Sequence, residues 1–172
     1  KERERGTLEQ MFVTPIKPAE YLIGKLAPYA SLATAQMLLV AAGGLFWFKV
    51  PFNGSIWVVL TGLFLFMFTC LGLGLLISLV SRTRHQAQQA VMFIMIPTMV
   101  LSGFIFPIQS MPAVIQPLTN LIPLTWALQV LRGAFVKGSG FEALAVPMLA
   151  LVGFGVVIFG AAIVATRRRI SE

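Results

Sequence analysis

Few residues in this 172-residue chain could do chemistry. It has no aspartate, one histidine and one cysteine. No Gly-x-x-x-x-Gly-Lys-Ser/Thr loop is present to cradle a nucleotide phosphate. His85 stands beside Arg82 and Arg84 in a short polar turn, the setting of a solvated side chain rather than of a base or metal ligand. Cys70 lies in a long apolar run, where a lone thiol has no internal disulfide partner and reads as packing. A membrane-embedded enzyme would need ionisable groups inside its apolar runs, and those runs hold no Asp, Glu or His. What remains is the chemistry of recognition, concentrated at the start of the chain and around Arg132.

The first seventeen residues describe a short helix with something to grip. Thr7 followed three residues later by Gln10 fits a capping box, and Gly6 permits a sharp entry turn. Leu8, Met11 and Phe12 fall at i, i+3 and i+4 and share one face. Glu4, Arg5 and Glu9 supply a charged rim. Thr14-Pro15 ends the helix, because a residue before proline avoids the helical region. Pro18 suits the first turn of a new helix, and Glu20 near its start favours the helix dipole. Tyr21, Leu22 and Lys25 then suit the interface where the chain enters a membrane. From these residues alone the apolar face could float at a lipid surface or sit in a protein groove.

The elements that position this segment are membrane helices. Hydrophobic residues make up 58% of the chain and charged residues 11%, against about 45–50% and about 25% in soluble domains. Windows 26–48, 56–80, 90–108 and 143–166 carry no Asp, Glu, Lys or Arg. They bracket the roughly 20 residues that cross a hydrocarbon core of about 30 Å. The expected fold is an all-α integral membrane protein with transmembrane helices at 25–48, 56–80, 90–108 and 143–166. A cytoplasmic region at 1–24 and a re-entrant hairpin at 109–137 complete it. Since residue 1 is Lys and no window resembles a cleavable signal peptide, the chain is expected to be the C-terminal part of a longer protein. Small residues at Gly72, Gly74 and Ser78, and at Gly153, Gly155 and Gly160, suit close helix packing.

Charge sets the orientation. With both termini cytoplasmic and four crossings, ten Lys and Arg residues lie inside (1, 3, 5, 17, 25, 82, 84, 167, 168 and 169) and three outside (49, 132 and 137). The net charge of +7 is mostly this asymmetry and needs no nucleic-acid partner. Membrane lipids are the partners it implies. The uncharged stretch 86–131 is too long for one crossing helix and is broken by Pro107, Pro112, Pro117 and Pro123. Its pieces 113–122 and 124–136 are each too short to span, so they are expected to dip into the outer leaflet and return against neighbouring helices. Arg132 is the one charge near membrane depth, placed either to contact cargo or to anchor the hairpin by snorkelling to the headgroups.

Three stretches together resemble one family. Glu2-Arg3-Glu4-Arg5-Gly6-Thr7-Leu8-Glu9-Gln10, with Val13-Thr14-Pro15-Ile16, is similar to the coupling region of type-2 ATP-binding-cassette (ABC) exporter permeases. Leu101-Ser102-Gly103-Phe104-Ile105-Phe106-Pro107-Ile108 with Met111-Pro112, and Ile122-Pro123-Leu124-Thr125-Trp126 leading to Leu131-Arg132-Gly133, resemble its outer hairpin. The order and spacing run through nearly the whole chain.

The resemblance implies a permease subunit with six spans, of which this chain holds the last four and lacks the first two. It implies pairing with a second permease subunit, identical or not, in a bacterial inner membrane, and docking on cytoplasmic ATPase subunits that carry the ATP and Mg. No cofactor is expected on this chain. Coupling is expected through Glu4, Arg5, Gly6, Thr7, Leu8, Glu9, Gln10, Met11, Phe12, Thr14 and Pro15. The outer hairpin or gate is expected at Phe104, Pro107, Met111, Pro112, Pro123, Arg132 and Gly133. The function implied is ATP-driven export of an apolar or amphipathic cargo, drug-like or lipid-like. The alternative is a passive channel or scaffold without an ATPase.

Overall fold

A computed structural model of the chain describes residues 18–47 and 54–170, with no side chains given for 18–23, 25 and 166–170. The expected coupling segment, including every residue from Glu4 to Pro15 named for it, lies outside the described residues.

Every regular element among the described residues is helical. Helix α1 spans Pro18–Ala42, continued by a π-helical turn at Gly43–Trp47. It begins at Pro18, where the fixed φ of proline is pre-organised for a first helical turn. Helix α2 spans Ile56–Val80, bounded by Ser55 and Ser81 in extended conformation. Helix α3 spans Arg84–Leu101. A 3₁₀ turn at Ile108–Ser110 and the four-residue α4 at Gln116–Thr119 follow. Helix α5 spans Pro123–Lys137, and α6 spans Ala145–Ile170.

Three of these are long and apolar enough to cross a membrane: Leu26–Trp47, Ile56–Val80 and Ala145–Ala165. The charge-free window at 56–80 coincides with α2. The window at 90–108 does not coincide with α3. Thr83 caps that helix by accepting a hydrogen bond from the Gln86 backbone N–H at 3.2 Å, so the polar residues from Arg84 to Gln89 are drawn into it. At the other end it stops at Leu101, because Gly103 takes φ 83° and turns the chain. The apolar part left in α3, 90–101, is about 18 Å long at 1.5 Å per residue, short of a full crossing by itself. The first hairpin piece, expected at 113–122, is also shorter as a helix than its composition implies, with only Gln116–Thr119 regular.

The core lies where α2, α5 and α6 meet. Val58 and Val59 of α2 pack with Ala127, Val130 and Ala134 of α5 and with Met148 and Leu151 of α6, all buried, beside Leu144 in the preceding turn. Small residues make these approaches possible, as expected where helices pack without a hydrophobic drive from solvent. A Cβ built on Gly72 would stand 2.8–3.1 Å from Phe159 and Ile158 of α6. Thr69 and Gly155 meet three residues earlier on α2, so α2 and α6 run parallel. The Thr69 hydroxyl donates to Leu65 O at 2.9 Å and reaches Leu151 O at 3.4 Å across that interface, and Phe68 stacks on Phe159 with centroids 4.4 Å apart.

Helix α5 runs the other way. Its Ala134 carbonyl lies against Gly54, just before α2, and its Val130 against Gly62. It therefore lies along the first halves of α2 and α6 rather than beside their full lengths. Helix α1 rests on α2. Most of α1 and α3 presents apolar side chains outward, including Leu39, Phe93 and Ile96, as fits surfaces covered by lipid or further helices.

Candidate functional site

The hairpin residues expected to form a gate are built around four prolines, three of which start tight turns and one of which starts a helix. The Pro107 carbonyl accepts from Ser110 N at 3.0 Å, and the Pro112 carbonyl from Ile115 N at 2.9 Å. The Pro117 carbonyl accepts from Asn120 N at 3.2 Å. Pro123 opens α5 at the first helical turn, where its missing N–H costs nothing. Side chains tie the turns together. Gln116 Nε2 donates to Met111 O at 3.0 Å, and Trp126 Nε1 donates to Asn120 O at 2.9 Å. The stretch is thus an ordered series of turns despite its short helices.

Arg132 closes the hairpin onto α3. Its Nη2 donates to the Gly103 carbonyl at 2.7 Å, across 29 residues of sequence. That carbonyl sits in the turn that ends α3, where Gly103 has positive φ and the Phe104 N–H donates to the Ser102 hydroxyl at 3.4 Å. A charged donor at this distance makes a hydrogen bond about twice as strong as a neutral pair. The neighbouring Gly133 is buried, and a Cβ there would stand 2.6 Å from Leu144 Cδ2, so α5 approaches the start of α6 through a bare backbone. Helix α5 ends in a left-handed cap at Gly138 with φ 64°.

The structure therefore brings Arg132, Gly133 and the Gly103–Phe104 turn to one end of the bundle. Phe104 and Pro107 are exposed there, as is Pro112, while Met111 and Pro123 are half-buried. The sidechain of Arg132 is aimed at a protein carbonyl. Arg132 is itself exposed, and its bond makes it a strut between α5 and the turn after α3, a contact compatible with both roles expected for it, cargo contact and headgroup anchoring.

Sequence reasoning did not single out the four buried hydroxyls among the described residues, those of Thr69, Ser102, Thr119 and Thr125. Ser102 is buried at the end of α3, its hydroxyl 3.4 Å from Met99 O. Thr125 is 1% exposed and its hydroxyl has no hydrogen-bond partner among the described residues. Small hydroxyl residues in an apolar run carry no signal of which will be enclosed. Among the described residues no group of three His, Cys, Asp or Glu could hold a metal ion.

The chain matches the family described as ABC-2 family transporter protein over residues 1–164. It is 38% identical over 171 residues to the probable multidrug ABC transporter permease YbhS of Escherichia coli K12, covering 99% of this chain and 45% of that protein. It is 32% identical over 142 residues to the probable multidrug ABC transporter permease YbhR of the same organism, covering 83% and 39%. A more distant relative is ABC transporter G family member 20 of Dictyostelium discoideum, 29% identical over 159 residues, covering 92% and 22%. The chain thus spans less than half the length of these relatives. No solved structure matches it. The family pattern and the long apolar helices together make this a multi-pass membrane protein, and the chain belongs to the ABC-2 family of transporter proteins.

Proposed function

We propose that this chain is the membrane-spanning part of an ATP-driven exporter, worked by a separate cytoplasmic ATPase that carries the ATP and Mg. The observation that carries this reading is the family match along nearly the whole chain, with relatives described as probable multidrug permeases. These 172 residues contain no nucleotide-binding loop, and in this reading the driving force comes from an ATPase partner. The handle for that partner is residues 4–15, with Met11 and Phe12 in a groove of the ATPase and Glu4, Arg5 and Glu9 at its rim. The elbow at 14–18 passes the push to α1.

In this reading both termini are cytoplasmic, in a bacterial inner membrane, and the permease works as a pair. Helix α3 with the turn at 102–108 completes a fourth crossing, and 109–137 re-enters the outer leaflet. Support for the re-entrant hairpin comes from α5 lying along only the first halves of α2 and α6, and from Arg132 reaching back to Gly103. The cargo is apolar or amphipathic, drug-like or lipid-like, as suits the multidrug description of the relatives. Met11→Asp combined with Phe12→Asp in the full-length permease tests the handle. Membrane insertion should persist while co-purification of the ATPase and export are lost. Retained association and export would remove the coupling role from this segment.

A further inference from the structure

We propose that the cleft between the adjoining ends of α2 and α3 holds one anionic phospholipid, with its phosphate on Arg84 and an acyl chain along Gly74. The two helices are joined by the tight connection at 81–83 and would be expected to close on each other. They leave instead a cleft of about 350 Å³. Its walls are Gly74, Ile77 and Ser78 on α2, and Arg84, Ala87, Gln88 and Val91 on α3. These spacings are i, i+3, i+4 and i+7, so each wall is one helix face turned toward the other. The gap exists because Gly74, Ser78 and Ala87 are small. A Cβ added to Gly74 would meet no atom within 4 Å.

The cleft is graded in chemistry. Arg84 stands beside the connection and Gly74 and Val91 line the far end, with Ile77, Ser78, Ala87 and Gln88 between them. From Arg84 to Val91 the groove runs about 10 Å along α3. No Asp or Glu occurs between Glu20 and Glu142, so the stretch holding Arg82 and Arg84 supplies cations without a nearby carboxylate in sequence. A cationic mouth on an apolar groove at a membrane surface fits an anionic headgroup carrying a chain. Basic pockets between transmembrane helices on the cytoplasmic side are the known form of such sites. Free phosphate would satisfy the arginine and leave the groove empty, and a neutral lipid would do the reverse. Placing the lipid in the inner leaflet rests on the orientation proposed above.

The test uses the full-length permease with its ATPase, purified in detergent and read by native mass spectrometry. Phosphatidylglycerol, phosphatidylcholine with the same chains, and inorganic phosphate are added in separate arms. Phosphatidylglycerol should be retained in preference to the other two. Arg84→Gln should weaken that retention about fivefold, the loss of about 1 kcal/mol for one basic residue at an anionic surface. Gly74→Leu, and Val91→Phe from the opposite wall, should weaken it while leaving the charge in place. Two plugs that leave retention unchanged would reduce the effect to diffuse surface attraction and overturn the site. Phosphate that competes as well as the lipid would overturn it, and so would plugs that prevent assembly, which would assign the cleft to another helix of the longer protein. Leaflet is read separately by labelling Gln86→Cys in a Cys70→Ser background with a membrane-impermeant reagent. Labelling from the outer face would refute the orientation and leave the lipid site to be judged by the binding arms.

Discussion

Replacing Arg132 with methionine keeps much of the length of the side chain and removes its one described tie, the 2.7 Å bond to the Gly103 carbonyl. Because Arg132 is itself exposed, water screens the bond and its contribution falls to that of an ordinary hydrogen bond, about 0.5–1.5 kcal/mol. Its loss also leaves a carbonyl unpaired in a turn where Gly103 and Ser102 are buried. Gly103→Ala attacks the same turn from the other side. Its φ of 83° is a conformation that costs a residue with a Cβ about 1–3 kcal/mol. The added Cβ would also stand 2.9 Å from Ile108 Cγ1. If both act on one structural unit, the double variant should lose less than the sum of the two, with a coupling of about 0.5–3 kcal/mol. Arg132→Lys, which retains a charged donor without the fork, should fall between wild type and Arg132→Met. Equilibrium unfolding of the full-length permease in mixed micelles measures all four. Loss of less than about 0.5 kcal/mol in Arg132→Met, or additivity within about 0.3–0.5 kcal/mol, would refute the strut. Export of several cargoes adds a second readout. A strut lowers all of them alike, in proportion to folded protein, whereas a cargo ligand would change their ranking.

The remaining predictions concern the core. Gly72→Leu should destabilise the permease by about 1–3 kcal/mol through overpacking, because its Cβ would meet Phe159 at 2.8 Å. Adding Phe159→Ala should recover part of that loss, and the same unfolding measurement checks it. Thr125→Val should be neutral or stabilising, since it replaces a buried, unpartnered hydroxyl with a methyl of similar shape. A loss above about 1 kcal/mol would mean that the hydroxyl has a partner in the assembled permease.

Much of this fold could be read from where charges are missing. The run from Ile56 to Val80 is bounded by Ser55 and Ser81 and has no charge or proline inside it, so composition and structure coincide there. The prolines at 107, 112, 117 and 123 likewise announce breaks that the structure makes as turns. Helix α3 was less legible. Composition separates the polar residues 84–89 from the apolar ones after them, but Thr83 caps both into one helix. Its end at Leu101 depends on the backbone of Gly103 and on an arginine 29 residues away. Contacts of that kind carry no local signature, which is why the charge of Arg132 was visible and its partner was not. The α2–α3 cleft was hidden for a related reason. Gly74 and Ser78 read as residues for close packing, and only the geometry shows that they line a gap.

The claim that an ATPase drives this permease is tested most directly by transport. Inverted membrane vesicles containing the full-length permease and its ATPase would be given a lipophilic fluorescent amine. The account predicts accumulation that needs ATP hydrolysis, needs both proteins, and disappears in Met11→Asp with Phe12→Asp while the permease remains inserted. Movement of the dye down its gradient with no ATP or ATPase present would contradict it and make the protein a passive channel.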